Sequence, residues 1–132
     1  MRGIKMYQPN GAEAPLTRFL SNLDPKLTRK ILLQIFRLAS LHPAEMREPH
    51  IKHFVLERYS ALYELREKSK ILIRIIFTIS DGDIILLLPF VKRQKRDSEK
   101  ALESAVNILA DIRAHPDYAV EFHPPFHPGN PG

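Results

Sequence analysis

Residues 71–92 read ILIRIIFTISDGDIILLLPFVK and carry the clearest structural signal in the chain. Two apolar runs flank Asp81 and Gly82, a dipeptide typical of two-residue hairpin turns, which need positive φ at both central positions. The runs are rich in β-branched residues, which favour strands. Their nearly continuous apolar character indicates a sheet covered on both faces. We therefore predict two antiparallel strands, at 71–79 and 84–92.

Arginines occupy two unusual positions in this region. The odd-numbered residues of 71–79 are all Ile or Phe and form a core face, which places Arg74 on the opposite face. Residues 61–67 alternate and predict a third strand, on which Arg66 is half-buried. A charge in such a place needs a partner or a ligand. An ion pair with Glu64 or Glu67 is one interpretation, and a bound anion is the other.

Helices are predicted on both sides of the strands. Residues 15–41 have the apolar spacing of two helices, separated by Asp24 as N-cap and Pro25 at the first helical position. A closing helix is predicted from an N-cap at Asp97 to Ala114. The order predicts an α+β fold, with N-terminal helices packed on a small antiparallel sheet and a C-terminal helix. We expect one domain over residues 1–114 and a Pro-rich, flexible tail over 115–132, with no regular element from Tyr118 onward.

Composition limits the classes of function. The 132 residues include 20 Lys and Arg against 15 Asp and Glu, for a net charge of +5, which favours a polyanionic partner. There are no cysteines, so disulfides, a thiol nucleophile and Cys-ligated zinc are excluded. We find no signal peptide and no apolar run long enough to span a membrane. A cytoplasmic protein with no membrane partner is expected.

A cationic cluster follows the last predicted strand. Lys92, Arg93, Lys95 and Arg96 come directly after Phe90, where a strand leads into a helix N-terminus. Free backbone N–H groups and side-chain cations together suit phosphate. An aromatic side chain next to cations on a small sheet is also typical of single-stranded RNA sites.

Four segments of the chain resemble the RelE/HigB-like toxins of bacterial toxin–antitoxin systems, and specifically the phage-derived HigB branch. The matching segments are residues 47–53, 62–66, 73–75 and 85–93, within a similarity that covers roughly 16–113. The resemblance implies a RelE-like fold and a metal-independent mRNA endoribonuclease without a cofactor, which typically acts on the ribosome. It also implies an antitoxin partner with a helix-turn-helix domain.

The resemblance assigns roles to residues. Arg66 and Arg74 match the arginines of the family and suit stabilisation of a phosphorane, because guanidinium stays charged and grips two phosphate oxygens. With Lys92 they form the expected catalytic set. Proton exchange could fall to Lys92, Lys52 or His53, and the choice stays open. The expected RNA-binding residues are Lys52, His53, Phe90, Arg93, Lys95 and Arg96.

Three other interpretations remain. A catalytically degenerate module of the same fold could bind RNA or an antitoxin without cleavage. The histidines could hold a metal, but neither His42, His50 and His53 nor the pair His123 and His127 has a placed carboxylate partner, so we predict no metal site. A structural phage protein is the third possibility, which the basic sheet does not favour.

Overall fold

The computed structural model describes residues 2–126, which form three α-helices and one six-stranded sheet. The elements in chain order are β1 (Ile4–Tyr7), α1 (Pro15–Ser21), α2 (Pro25–Leu38), β2 (Ile51–His53), β3 (Leu62–Lys68), β4 (Leu72–Ser80), β5 (Asp83–Lys92), α3 (Lys95–Ala114) and β6 (Ala119–Glu121). Short 3-10 turns lie at Pro43–Glu45, Glu57–Tyr59 and Pro116–Tyr118. The predicted α+β class is confirmed. No helix of this part of the chain is long and apolar enough to cross a membrane.

The predicted hairpin is confirmed as β4 and β5. Asp81 and Gly82 both have positive φ, 51° and 83°, as the turn requires. The strands pair from Leu72 opposite Lys92 to Ser80 opposite Asp83, with an irregularity at Ile76/Phe77.

Two cores cover the two faces of the sheet, as predicted. On one face, α1 and α2 pack on alternate residues of β4, including Ile73, Ile75 and Phe77. On the other face, α3 contributes Ala101, Leu102 and Ala105 against a second set, which comprises Leu62, Ile76, Ile85 and Leu87. Arg66 is four residues from Leu62 and Arg74 is two residues from Ile76 on the same strands, so both arginines lie on the α3 face.

The sheet is mixed and not purely antiparallel as predicted. Its order is β2-β3-β4-β5-β1-β6, and β1 pairs with β5 in parallel. β1 has only four residues, and its parallel partner β5 lies far along the chain, so no turn sequence near β1 indicates this pairing.

The expectation of no regular element from Tyr118 onward is wrong for residues 119–121. β6 pairs antiparallel with β1, and Phe122 is buried in the first core with its ring centroid 6.1 Å from that of Phe36. The prediction failed because a three-residue strand directly before a Pro-rich stretch has no periodicity to detect. Residues 127–132 of the predicted tail lie outside the described residues.

The helix starts were predicted with mixed success. α1 and α2 are separated at Pro25 as expected, although the Asp24 side chain makes no capping hydrogen bond. The prediction that Asp97 is the N-cap of α3 is wrong, since the helix starts at Lys95 after Gln94. Asp97 lies in the first turn, and its Oδ2 accepts hydrogen bonds from the backbone N–H groups of Arg93 and Gln94, at 2.8 and 2.9 Å. It still satisfies free donors at the helix start.

Candidate functional site

A row of side chains crosses three strands on the α3 face of the sheet. Arg66 of β3 lies directly opposite Arg74 of β4, and Arg74 lies opposite Phe90 of β5. The next row places Lys52 of β2 opposite Glu64. Strand alternation directs all of these residues to one face, so the register brings the two predicted arginines together.

Glu64 lies between the two arginines and is almost completely buried, at 2% exposed. Its Oε1 accepts a hydrogen bond from Arg66 Nε at 2.9 Å and lies 3.5 Å from Arg74 Nε. Its Oε2 has no hydrogen-bond partner among the described residues. One carboxylate therefore pairs with two guanidinium groups through their inner nitrogens and compensates one of their two positive charges.

Arg74 is the more buried of the two arginines, at 8% exposed. Burial lowers the pKa of Arg74, an effect that the Glu64 carboxylate opposes and the nearby Arg66 charge reinforces. Apart from the contact to Glu64, its Nη1 donates a long hydrogen bond of 3.4 Å to the Ile73 carbonyl. The ion pair with Glu64 considered from the sequence is thus present.

Arg66 reaches the surface and makes a second ion pair there. Its Nη1 donates to Glu48 Oε1 at 2.8 Å, and the Glu48 side chain is 67% exposed. An exposed ion pair of this kind contributes only about 0–1 kcal/mol to stability. The outer side of Arg66 is therefore available to a competing anion at little cost.

A cleft of about 690 Å³ opens beside Arg66. Three of the predicted cations, Lys52, Lys92 and Lys95, line it. Within residues 2–126 none of the three forms an ion pair, although the Lys52 ammonium lies 5.3 Å from the centre of the Phe54 ring. Together with Arg66 they outnumber the three carboxylates of Glu48, Glu64 and Glu99, so the lining has a net positive charge, which favours phosphate.

A second cavity, of about 640 Å³, lies on the other side of Arg66. Arg74 lines this cavity and not the first one. Arg66 therefore borders both spaces, while Lys92 borders the first space alone. The predicted catalytic set is distributed around Arg66.

The remaining predicted residues are less closely gathered. His53 lies at the rim of the cleft, but its ring stacks on Tyr63 at 4.2 Å and its Nε2 is 2.7 Å from the Ser60 carbonyl. Phe90 packs against the second core. Arg93 and Arg96 are exposed and line neither cavity.

Several residues of the site were missed or named only as ion-pair partners. Glu48, Val55 and Leu56 come from loops, where no periodicity predicts which way a side chain points. Glu64 was considered only as an ion-pair partner of Arg66 and Arg74. Its spacing of two residues from Arg66 could have placed both on one face of the strand.

No cluster of three or more metal-ligating side chains occurs within residues 2–126. Of the histidines considered from the sequence, His127 lies outside the described residues.

Comparison with known proteins gives one match. The model of a family described as phage derived protein, Gp49-like, matches residues 18–110. The matched range includes Arg66, Arg74 and Lys92, whereas β1 and β6 lie outside it. Neither the curated proteins nor the solved structures include a significant match.

Proposed function

The chain belongs to the Gp49-like family of phage-derived proteins, and from that premise we propose that it is the toxin of a toxin–antitoxin system and cleaves mRNA. The family is one of RelE/HigB-like toxins. The proposal extends to the phage-derived HigB branch, to action on the ribosome and to neutralisation by a helix-turn-helix antitoxin. The observation that carries it is the position of Arg66, which lies opposite Arg74 in the sheet and borders a cleft lined by unpaired lysines.

The proposed reaction is attack of an RNA 2′-oxygen on the adjacent phosphorus. The 2′-hydroxyl loses its proton, the new P–O bond forms, and the bond from phosphorus to the 5′-oxygen breaks as that oxygen takes up a proton. The products are a 2′,3′-cyclic phosphate and a 5′-hydroxyl. Negative charge accumulates on the phosphorane, where a guanidinium offers two donors and a permanent charge.

The contacts of Glu64 suit this role for the arginines. Because it holds each guanidinium near Nε, the Nη2 atoms of Arg66 and Arg74 have no hydrogen bond to another described residue. A phosphate that displaces Glu48 from Arg66 would replace one weak, exposed ion pair. In its place the guanidinium would donate charge-assisted hydrogen bonds to two phosphate oxygens.

Proton exchange falls to the lysines in this proposal. Lys52 and Lys92 both line the cleft that Arg66 borders. The neutral amine of one would accept the proton of the 2′-hydroxyl, and the ammonium of the other would protonate the leaving 5′-oxygen. The stacked ring of His53 and its contact with Ser60 make this histidine a poorer candidate.

Expression without an antitoxin tests the proposal. We expect the wild type to arrest bacterial growth and to create new 5′ ends in transcripts, detected by primer extension. Arg66→Ala or Arg74→Ala should relieve the arrest while circular dichroism shows a folded protein. Arg18→Ala is the matched control. Arg18 lies on α1, which packs on the other face of the sheet, and it makes a surface ion pair with Glu13. Intact transcripts together with mutants that behave like the wild type would refute cleavage.

A module that binds RNA or an antitoxin without cleavage is the second candidate. The burial of Arg74 and the engagement of both arginines by Glu64 favour it, because an arginine that already has a carboxylate as counter-charge does not require a ligand. Such a protein would retain RNA in a salt-dependent way and produce no new 5′ ends.

A further inference from the structure

Two exposed apolar side chains stand at the mouth of the cleft. Val55 and Leu56, which we call the apolar lip, lie in the loop between β2 and β3 and are 89% and 68% exposed. Both line the 690 Å³ cleft. Large apolar side chains exposed at a cleft gain the free energy of burial only when a ligand or a partner covers them.

The loop that carries the lip is fixed to α3. Arg58 donates two hydrogen bonds to the Glu103 carboxylate, from Nε at 2.7 Å and from Nη2 at 2.6 Å, and the Tyr59 hydroxyl donates to the same group. These hydrogen bonds hold the pKa of Glu103 down at about 2. Because Arg58 and Tyr59 come only two and three residues after Leu56, this anchor holds Val55 and Leu56 in position beside the cleft.

The lining of the cleft carries more cations than anions. Lys52, Lys92 and Lys95 line it together with Arg66. Three carboxylates also line it, of which Glu48 and Glu64 are paired with Arg66, while Glu99 forms no ion pair among the described residues. The space thus combines exposed apolar side chains with a net positive charge. Its volume lies within the roughly 300–1,000 Å³ of small-ligand sites.

We propose that the apolar lip is the seat of one unstacked nucleobase of a single-stranded RNA, whose phosphates lie along the three lysines. The inference rests on the proposed function, because it names a subsite for the same substrate. A flat base covers Val55 and Leu56, while its backbone supplies the charge that the lysines lack. Charge complementarity favours this occupant over an apolar segment of a protein partner.

The chemistry of the lip also determines how selective this seat is. Valine and leucine have no hydrogen-bonding groups, so they recognise a base only by the apolar area that it covers. The seat therefore accepts every base, and purines bind there more tightly than pyrimidines because of their larger faces.

Direct binding tests the proposal with two probes of equal charge. One probe is a single-stranded hexamer of 2′-O-methyladenylate, in which the attacking hydroxyl is blocked, and the other has the same backbone without bases. The Val55→Ser/Leu56→Ser variant should bind the base-bearing strand about five-fold more weakly than the wild type. Its affinity for the abasic strand should not change. Leu33→Ser is the matched control, since Leu33 is 56% exposed on α2.

Two results would overturn the nucleobase seat. One is unchanged affinity of the lip variant for the base-bearing strand. This result overturns the seat whether or not the variant also captures less of a co-expressed protein partner. The other is an equal loss on both strands. Either result leaves the proposed function intact if Arg74→Ala still relieves growth arrest. If the wild type neither binds the base-bearing strand nor arrests growth, the proposed function fails as well.

Discussion

Arg66 and Arg74 face each other on neighbouring strands, and like charges in that arrangement repel. The Glu64 carboxylate lies between them, with Oε1 at 2.9 Å from one Nε and 3.5 Å from the other. A single buried negative charge thus allows two positive charges to occupy the same small area of the sheet. The stability of the protein therefore depends on the same residues that are proposed to bind phosphate.

Glu64→Gln should therefore destabilise the protein. Glutamine keeps the shape and one acceptor oxygen but removes the charge, which among the described residues leaves Arg74 without a counter-charge and Arg66 with only the exposed Glu48. We expect a loss of about 1–3 kcal/mol in the free energy of unfolding, measured by urea titration at neutral pH.

Glu13→Gln provides the control for that measurement. Glu13 pairs with Arg18 at the surface, where both side chains are largely exposed, so its loss should cost under about 0.5 kcal/mol. Equal stabilities of the two variants would show that Glu64 does not hold the arginine pair together.

At the scale of elements, the start of α3 positions the cationic end of the site. Asp97 accepts hydrogen bonds from the backbone N–H groups of Arg93 and Gln94, directly after β5. These two hydrogen bonds lower the pKa of the Asp97 carboxyl, because they stabilise its charged form. The carboxylate thereby fixes the turn that leads from Lys92 to Lys95.

Asp97→Asn should lower the urea midpoint of unfolding at neutral pH, because the amide is a weaker acceptor than the carboxylate. The pKa of Asp97 is lower in the folded protein, so its stabilisation is complete above the ordinary carboxyl pKa. It is lost as the pH falls through the folded value. The difference between wild type and variant should therefore shrink on acidification below about pH 4.

Glu99→Gln serves as the control for Asp97→Asn. Glu99 is exposed in the same first part of α3 and makes no hydrogen bond through its side chain to another described residue. If the two variants have the same midpoint and the same pH dependence, the backbone contacts of Asp97 are not what stabilises the turn.

The hairpin shows which elements local sequence can predict. Asp81 and Gly82 specify the turn, and alternation in 71–79 places Arg74 opposite the core face, so both were predicted correctly. β1 and β6 were missed because each is short and pairs with a segment distant in the chain. Pairing of that kind is set by the tertiary structure and leaves no local pattern.

In the candidate site too, the residues on strands could be predicted from the sequence and the residues on loops could not. Strand register places Arg66 beside Arg74, and the strand end places Lys92 near the cleft, as the sequence allows one to expect. Alternation also means that Lys52 and His53 point to opposite faces of β2, a signal that was available and not used. Loop residues such as Glu48 and Val55 could not be placed, since their direction depends on packing.

At the scale of the whole molecule, the sheet separates two kinds of surface. α1 and α2 cover one face, and on the other face α3 covers only part, so that the cleft opens next to Arg66. The net charge of +5 attracts RNA to the entire surface. Local contacts in the cleft must therefore be distinguished from this general attraction.

The dependence of RNA affinity on salt makes that distinction. For single strands, each lysine that contacts a phosphate contributes about 0.7 to the slope of log affinity against log salt concentration. With the 2′-O-methyladenylate hexamer as ligand, Lys92→Ala should reduce the magnitude of the slope by about that amount. Lys26→Ala on α2 removes the same charge from an exposed position on the other face and should leave the slope unchanged. Equal slopes for the two variants would mean that RNA is held by net charge alone, whereas a change confined to Lys92 would locate the bound phosphates in the cleft.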